Sequence, residues 1–310
     1  MEQMTFGQLT DEMVRLYSAS QFAEALELVE KHADNFPEQA ARTTFWKMCL
    51  LSLCGRTNDL FSVFQQGLDS GHWWAARQFA VETDFDPVRE LPEFKRLVEE
   101  SDRKTIEAQE HIRSDRRVLV PDDISGALPL LIGLHGRNGN KDTDVQHWEI
   151  AHQRGWLVLL LQSRQALFPG SYCWDDAEKG LEDILFHLDE IKKTYNIDPN
   201  RIVTAGFSQG SGQSIYTALT GKVGARGFIG IATFIAEPDV LVPLIDPSKP
   251  VRGYFVTGEK DHTLDKARAI QKILKEHNIP FAEEVYPELR HEFSQDFASS
   301  FEKSIQFILG

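Results

Sequence analysis

The sequence is poor in cysteine, and the three it has, Cys49, Cys54 and Cys173, cannot all pair with one another and show no CxxC spacing. Neither a disulfide scaffold nor a thiolate metal site is expected, and the cysteines read as reduced thiols of a cytoplasmic protein. There is no HExxH segment, so no hydrolytic zinc site is expected and no cofactor is implied. No apolar stretch approaches the roughly 20 residues of a membrane span. The N-terminal residues, with Glu2, Asp11 and Glu12 and no apolar segment behind a basic start, do not read as a signal peptide. Positive charge is also scarce: 33 Lys and Arg face 47 Asp and Glu, a net charge of -14. Without a local basic patch, nucleic acid and anionic lipid are disfavoured as partners.

What the chain has is apolar material. Of 310 residues, 42% are hydrophobic, with 20 Phe and 6 Trp, enough to offset chain entropy in a large core or in two. The acidity is uneven, because residues 1–110 hold 20 Asp/Glu against 11 Lys/Arg, a net of -9, and the remainder carries -5.

From Phe6 to about His111 apolar residues recur every three or four positions, as in Met13, Leu16, Tyr17 and then Phe22, Ala25, Leu26, Val29. That period predicts helices. Breaks at Ser18–Gln21, Asn35–Pro37, Gly55–Asn58 and Ser70-Gly71 divide the stretch into helices with short connections, hence antiparallel hairpins. Phe22, Ala25 and Pro37 hold the places of the aromatic, the alanine and the closing proline of a tetratricopeptide repeat. A second unit, with Trp46, Gly55, Leu60, Phe64 and Leu68, fits in spacing but lacks the alanines and the proline. The segment resembles that family in a degenerate, two-unit form; a helical bundle without a peptide-binding groove is the alternative. Asp84–Arg89 and Leu91-Pro92-Glu93-Phe94 look like the turn and final helix that close such arrays, and prolines suit helix starts. The boundary falls near Asp115, giving a helical domain over 1–110 and a second domain over 116–310.

From Arg116 onward short apolar runs alternate with amphipathic segments. The runs are Arg117–Val120, Leu128–Leu134, Trp156–Leu161, Ile202–Ala205, Phe228–Ile235, Tyr254–Val256 and Ala282–Tyr286. The helices expected between and after them are Asp142–Gln153, Asp176–Lys193, Gln209–Leu219, Thr263–His277 and Phe297–Leu309. Continuous Leu/Ile/Val runs alternating with helices predict a mainly parallel sheet buried on both faces, an α/β domain.

Directly after the Ile202–Ala205 strand comes Gly206-Phe207-Ser208-Gln209-Gly210, opening a helix. This is a G-x-S-x-G elbow in the strand-to-helix context that gives the pattern meaning. A serine hydroxyl needs a base, and the base needs an oriented partner. The loop Gly258-Glu259-Lys260-Asp261 follows the Tyr254–Val256 strand and supplies the acid, and Leu289-Arg290-His291-Glu292-Phe293 supplies the histidine. The order Ser208, Asp261, His291 is that of a hydrolase triad, with each residue past the carboxyl end of a strand, where such sheets place ligands. Asp261 competes with a role as a helix N-terminal acid, and His291 with that of a surface histidine. An oxyanion hole needs two backbone amides. Gln209 N–H follows the nucleophile, and the loop Leu134-His135-Gly136-Arg137-Asn138-Gly139-Asn140 offers Arg137 N–H as the second.

With these residues in view, the chain from about Arg116 to Gly310 resembles the α/β-hydrolase superfamily, and within it the phospholipase/carboxylesterase family with its acyl-protein thioesterase-like and dienelactone hydrolase-like members. Asn196-Ile197-Asp198-Pro199-Asn200-Arg201-Ile202 looks like that family's entry into the elbow. Ser211 and Leu289 stand where the family often has glycine, which leaves the catalytic carry-over intact. The resemblance implies that His135 supports the oxyanion loop and is not a base. In Phe168–Asp176, Trp174 either walls the substrate pocket, as a substrate contact, or anchors the core.

The expected function is hydrolysis of small to medium soluble carboxylic esters through an acyl-enzyme. Thioesterase or peptidase chemistry on the same scaffold is one alternative, and a non-catalytic interaction protein is another. The gap Ala236–Pro250 is too short for a helical cap domain, so the helical N-terminal domain is expected either to serve as a substitute lid or to bind a second copy or a peptide.

Overall fold

The structure, a computed structural model, describes residues 4–310. Glu2, used above in the argument on leaders, and the first three positions of the 1–110 domain lie outside the described residues. The chain divides into two compact units: one takes the described residues up to Ile112 together with Ala166–Ser171, the other takes Arg113–Gln165 and Tyr172–Gly310.

The first unit is helical: α1 Phe6–Ser18, α2 Phe22–His32, α3 Ala40–Leu53, α4 Thr57–Asp69, α5 Ala76–Val81 and α6 Pro92–Gln109. Thr5 starts α1 through a capping box, accepting from Gln8 N–H at 3.2 Å while the Gln8 side chain accepts from Thr5 N–H at 2.9 Å; this satisfies two amides that a helix leaves without partners. Phenylalanines fill the core. Phe64 and Phe79 lie 5.1 Å apart, Phe79 and Phe85 5.3 Å, and Phe85 and Phe94 5.3 Å, spacings at which aromatic pairs attract beyond simple area burial. Trp74, fully buried, donates its Nε1–H to the Ala41 carbonyl at 3.1 Å.

The sequence reading places everything after residue 116 in the second domain, whereas the six residues Ala166–Ser171 belong to the first unit. There Phe168 stacks on Phe45 at 5.7 Å, the Leu167 carbonyl accepts from Ala75 N–H at 2.7 Å, and Arg77 donates to the Ala166 carbonyl. Contiguity along the chain cannot reveal such an exchange.

The second unit carries seven strands in one sheet: β1 Asp115–Leu119, β2 Leu128–Leu134, β3 Leu157–Gln162, β6 Ile197–Phe207, β7 Gly227–Ile231, β8 Arg252–Gly258 and β9 Phe281–Tyr286. Their order is β1-β3-β2-β6-β7-β8-β9. Edge strand β1 runs antiparallel to β3, and every other pairing is parallel. Its helices are α7 Val145–Gln153, α8 Ala177–Lys192, α9 Gln209–Thr220, α10 Leu264–Glu276 and α11 Phe297–Leu309. Alternate residues of the apolar runs serve opposite faces. Leu130, Ile132 and Leu134 pack with Ile184 of α8, Ile215 of α9 and Ile270 of α10. Leu131, Val158 and Leu160 pack with Trp148 of α7 and Phe301 of α11.

One local expectation changes. The apolar run Phe228–Ile235 is a strand only to Ile231, because Ala232 takes φ +48° and turns the chain, its N–H bonding the Val256 carbonyl at 3.0 Å. The structure also adds two short strands that the sequence did not suggest: β4 Gln165–Phe168 and β5 Ser171–Cys173 form a two-stranded sheet of their own.

Candidate active site

Strand β6 turns into α9 at Ser208, whose backbone holds φ +53° and ψ -120°. A non-glycine residue with positive φ is strained, and the surroundings must enforce it. The Ser208 N–H donates to the Ile231 carbonyl at 2.8 Å, tying the turn to the end of β7. Backbone approaches of this kind leave no room for side chains: a Cβ on Gly206 would lie 2.3 Å from the Gly210 carbonyl, and one on Gly210 2.3 Å from the Leu134 carbonyl oxygen.

Beyond the end of β8, the Asp261 side chain is fully buried. Its Oδ1 accepts from Thr263 N–H at 2.8 Å, from Thr263 Oγ1–H at 2.8 Å and from His291 Nδ1–H at 2.9 Å. Burial pushes its carboxyl up, but the His291 and Thr263 hydrogen bonds outweigh this and hold it below the usual carboxylate range. Thr263, read from the sequence as the start of a helix, thus also fixes the acid. Because a carboxylate only accepts, the shared proton sits on His291 Nδ1, which leaves Nε2 as an acceptor 2.9 Å from Ser208 Oγ. Ser208, His291 and Asp261, contributed by three different loops, form one continuous hydrogen-bonded relay.

The loop after β2 brings a second constellation, which sequence reasoning missed. Asp175 Oδ1 accepts from Arg137 NH1 at 2.6 Å and from Gln209 Nε2 at 2.8 Å. Gln209 Oε1 in turn accepts from Trp174 N–H at 3.0 Å. One carboxylate therefore joins the side chains of the two residues whose amides were assigned to an oxyanion hole. Burial raises the Asp175 carboxyl, but Arg137 and Gln209 more than offset this and keep it ionised. The only signal in sequence was an acidic pair after an aromatic, too common to point to this role.

His135 is buried, its Nδ1–H bonds the Gly136 carbonyl at 2.7 Å, and burial pulls its pKa down to about 4. It stays neutral and braces its own loop. Trp174 is 4% exposed and donates Nε1–H to the His135 carbonyl at 2.9 Å; the structure gives it the core-anchoring position of the two considered. The aromatic surface beside the relay comes instead from Phe207, whose ring lies 4.9 Å from that of His291 and stacks on Phe293 at 5.1 Å. Asp261, His262 and His291 present donor atoms within 4.8 Å of one another, as do Cys49, Glu82 and Asp84 in the helical unit.

The sheet order, the strained serine between β6 and α9 and the two loops that meet it define an α/β-hydrolase. Residues 178–309 match the phospholipase/carboxylesterase family model, and residues 5–109 match the A/B hydrolase-like N-terminal domain. The C-terminal part of the chain is thus similar to the phospholipase/carboxylesterase family of α/β-hydrolases, and the all-helical N-terminal part to a domain that accompanies such hydrolases. A bifunctional acetylxylan esterase/xylanase of Neocallimastix patriciarum is 32% identical over 110 residues, 34% of this chain and 16% of that protein. The chain thus matches about one sixth of that relative's length. A crystal structure of an uncharacterised protein from Bacillus cereus covers 99% of this chain and 100% of its own, at TM-score 0.56 and 24% identity. Esterase PE8 covers 64% of this chain and 100% of its own, at TM-score 0.54 and 17% identity. Identities this low show a shared fold.

Proposed function

We propose that the chain is a serine carboxylic-ester hydrolase that works through an acyl-enzyme. The reading is carried by the relay Asp261–His291–Ser208, with both hydrogen bonds at 2.9 Å. Nε2 of His291 takes the Ser208 proton as Oγ attacks the ester carbonyl, and Asp261 stabilises the imidazolium that forms. The amides of Gln209 and Arg137 receive the charge on the carbonyl oxygen, which is often the largest single contribution to rate. Expulsion of the alcohol takes the proton back from His291. Water then attacks the acyl-enzyme with the same base, and Ser208 is released.

The segment between β7 and β8 holds only a 3-10 turn, Pro238–Leu244. No helical cap stands there, which favours small soluble esters over long acyl chains. The relative named for acetylxylan supports a short acyl group. A panel of p-nitrophenyl esters of increasing chain length, an acyl thioester and an aminoacyl amide, run beside Ser208→Ala, tests the reading. Turnover is expected to be highest on short esters and to drop by about 10⁴-fold or more in the variant. Equal rates in wild type and variant would sink the assignment and return the chain to the class of binding proteins.

A further inference from the structure

The residue after the triad acid is a second histidine, and the proposed mechanism gives it no task. His262 has a side chain 75% exposed, and its Nδ1 lies 3.7 Å from Asp261 Oδ1. Its ring centroid is 4.5 Å from that of His291, at an interplanar angle of 52°. His291 Nδ1 is 2.9 Å from the same carboxylate oxygen, and the other oxygen, Asp261 Oδ2, is buried without a hydrogen-bond partner. Two imidazole nitrogens and one carboxylate therefore converge, one of them open to solvent and one oxygen uncommitted.

Two histidines and a carboxylate are a donor set that suits zinc, with a fourth position left for water. Bonds of about 2.0–2.2 Å in tetrahedral array place ligand atoms about 3.4 Å apart, and the separations of 2.9 and 3.7 Å bracket that value. Thr263 holds the buried Asp261 in place, and rotation of the exposed His262 ring is the movement that closes the difference.

We infer that Asp261, His262 and His291 form a binding site for a zinc-class divalent cation that reversibly inhibits the hydrolase. The inhibitory consequence rests on the proposed role of His291 as base; the binding does not. A cation on Nδ1 of His291 replaces the hydrogen bond to Asp261, and the displaced proton relocates through solvent to Nε2. No electron is transferred and no net proton is consumed. Nε2–H now donates to Ser208 Oγ and cannot accept its proton, so attack stops. Removing the cation restores the original tautomer.

The test measures binding and turnover separately on the full chain. Zn²⁺ binding is followed by competition with a chromophoric chelator, and p-nitrophenyl acetate hydrolysis is titrated with Zn²⁺ and, in a parallel arm, with Mg²⁺. Wild type is expected to bind one Zn²⁺, to be inhibited by it and to recover with EDTA, while Mg²⁺ has no effect. His262→Ala and His262→Gln are each expected to need about 10- to 100-fold more Zn²⁺ for the same fractional inhibition, measured against their own metal-free rates, as for loss of a ligand or its support. Equal zinc sensitivity in the His262 variants overturns the inference, and so does wild type that fails to compete with the chelator. Zn²⁺ that binds through His262 and leaves turnover untouched also overturns it. Turnover that persists in Ser208→Ala marks a different failure, that of the hydrolase reading, and is seen without metal.

Discussion

Asp175 Oδ1 accepts from the Arg137 guanidinium at 2.6 Å, and the same oxygen accepts from the Gln209 amide at 2.8 Å. The carboxylate joins the side chains of two segments far apart in sequence, one after β2 and one opening α9. If their amides form the oxyanion hole, Asp175 sets its width. Asp175→Ala is expected to lower kcat about 10²-fold with little change in KM, the cost typical of a lost oxyanion donor. Asp175→Asn, which keeps an acceptor oxygen, is expected to recover part of that loss. Steady-state kinetics on a short ester and affinity for a boronic acid transition-state analogue should fall together.

A methyl group at the elbow has nowhere to go. In Gly210→Ala the new carbon would meet the Leu134 and His135 carbonyl oxygens at 2.3 and 2.4 Å. Backbone cannot rotate away as a side chain can, so the variant is expected to lose about 3 kcal/mol or more of stability, read as a lower urea midpoint. A variant that unfolds like wild type would show that α9 can move off β2.

The Asp261 carboxyl lies below its ordinary value of 3.8. A depressed acid contributes stability that is complete above its unfolded pKa and is lost as pH falls through the folded one. The wild-type advantage over Asp261→Asn in urea denaturation is therefore expected to be flat above about pH 5 and to shrink below pH 3.8. An advantage that grew on acidification would contradict the direction of the shift.

Phe168 is 2% exposed and stacks on Phe45 inside the helical unit. Phe168→Ala is expected to cost about 3–5 kcal/mol, the range for truncating a buried phenylalanine. Calorimetry should show the transition shifted to lower temperature, and turnover per folded molecule is expected to be retained.

The site was legible where the chemistry is local. The elbow is five consecutive residues with an obligatory backbone shape, and the acid and histidine follow in the chain order of a hydrolase triad, so the sequence names the three side chains that the structure joins by hydrogen bonds. The sheet was legible because strands buried on both faces leave unbroken apolar runs. What escaped depends on distance along the chain: Asp175 lies 38 residues from Arg137 and 34 from Gln209, and nothing in composition announces such a bridge. His262 escaped because its partner, His291, arrives from another loop. The strand expected over Phe228–Ile235 was too long because hydrophobicity continues past Ile231 while the backbone turns at Ala232. The β4–β5 pair escaped because four- and three-residue strands around Pro169-Gly170 read as a turn.

The grouping of Ala166–Ser171 with the helices has a consequence for the order of synthesis. Domains made first on the ribosome commonly fold first, yet this helical unit lacks its last piece until β1, β2, α7 and β3 have also been made. Phe45 emerges early and waits for Phe168. During that interval an aromatic face that the finished protein covers stands open, so nascent chains halted before Ala166 should engage chaperones or aggregate more readily than chains halted just beyond Ser171.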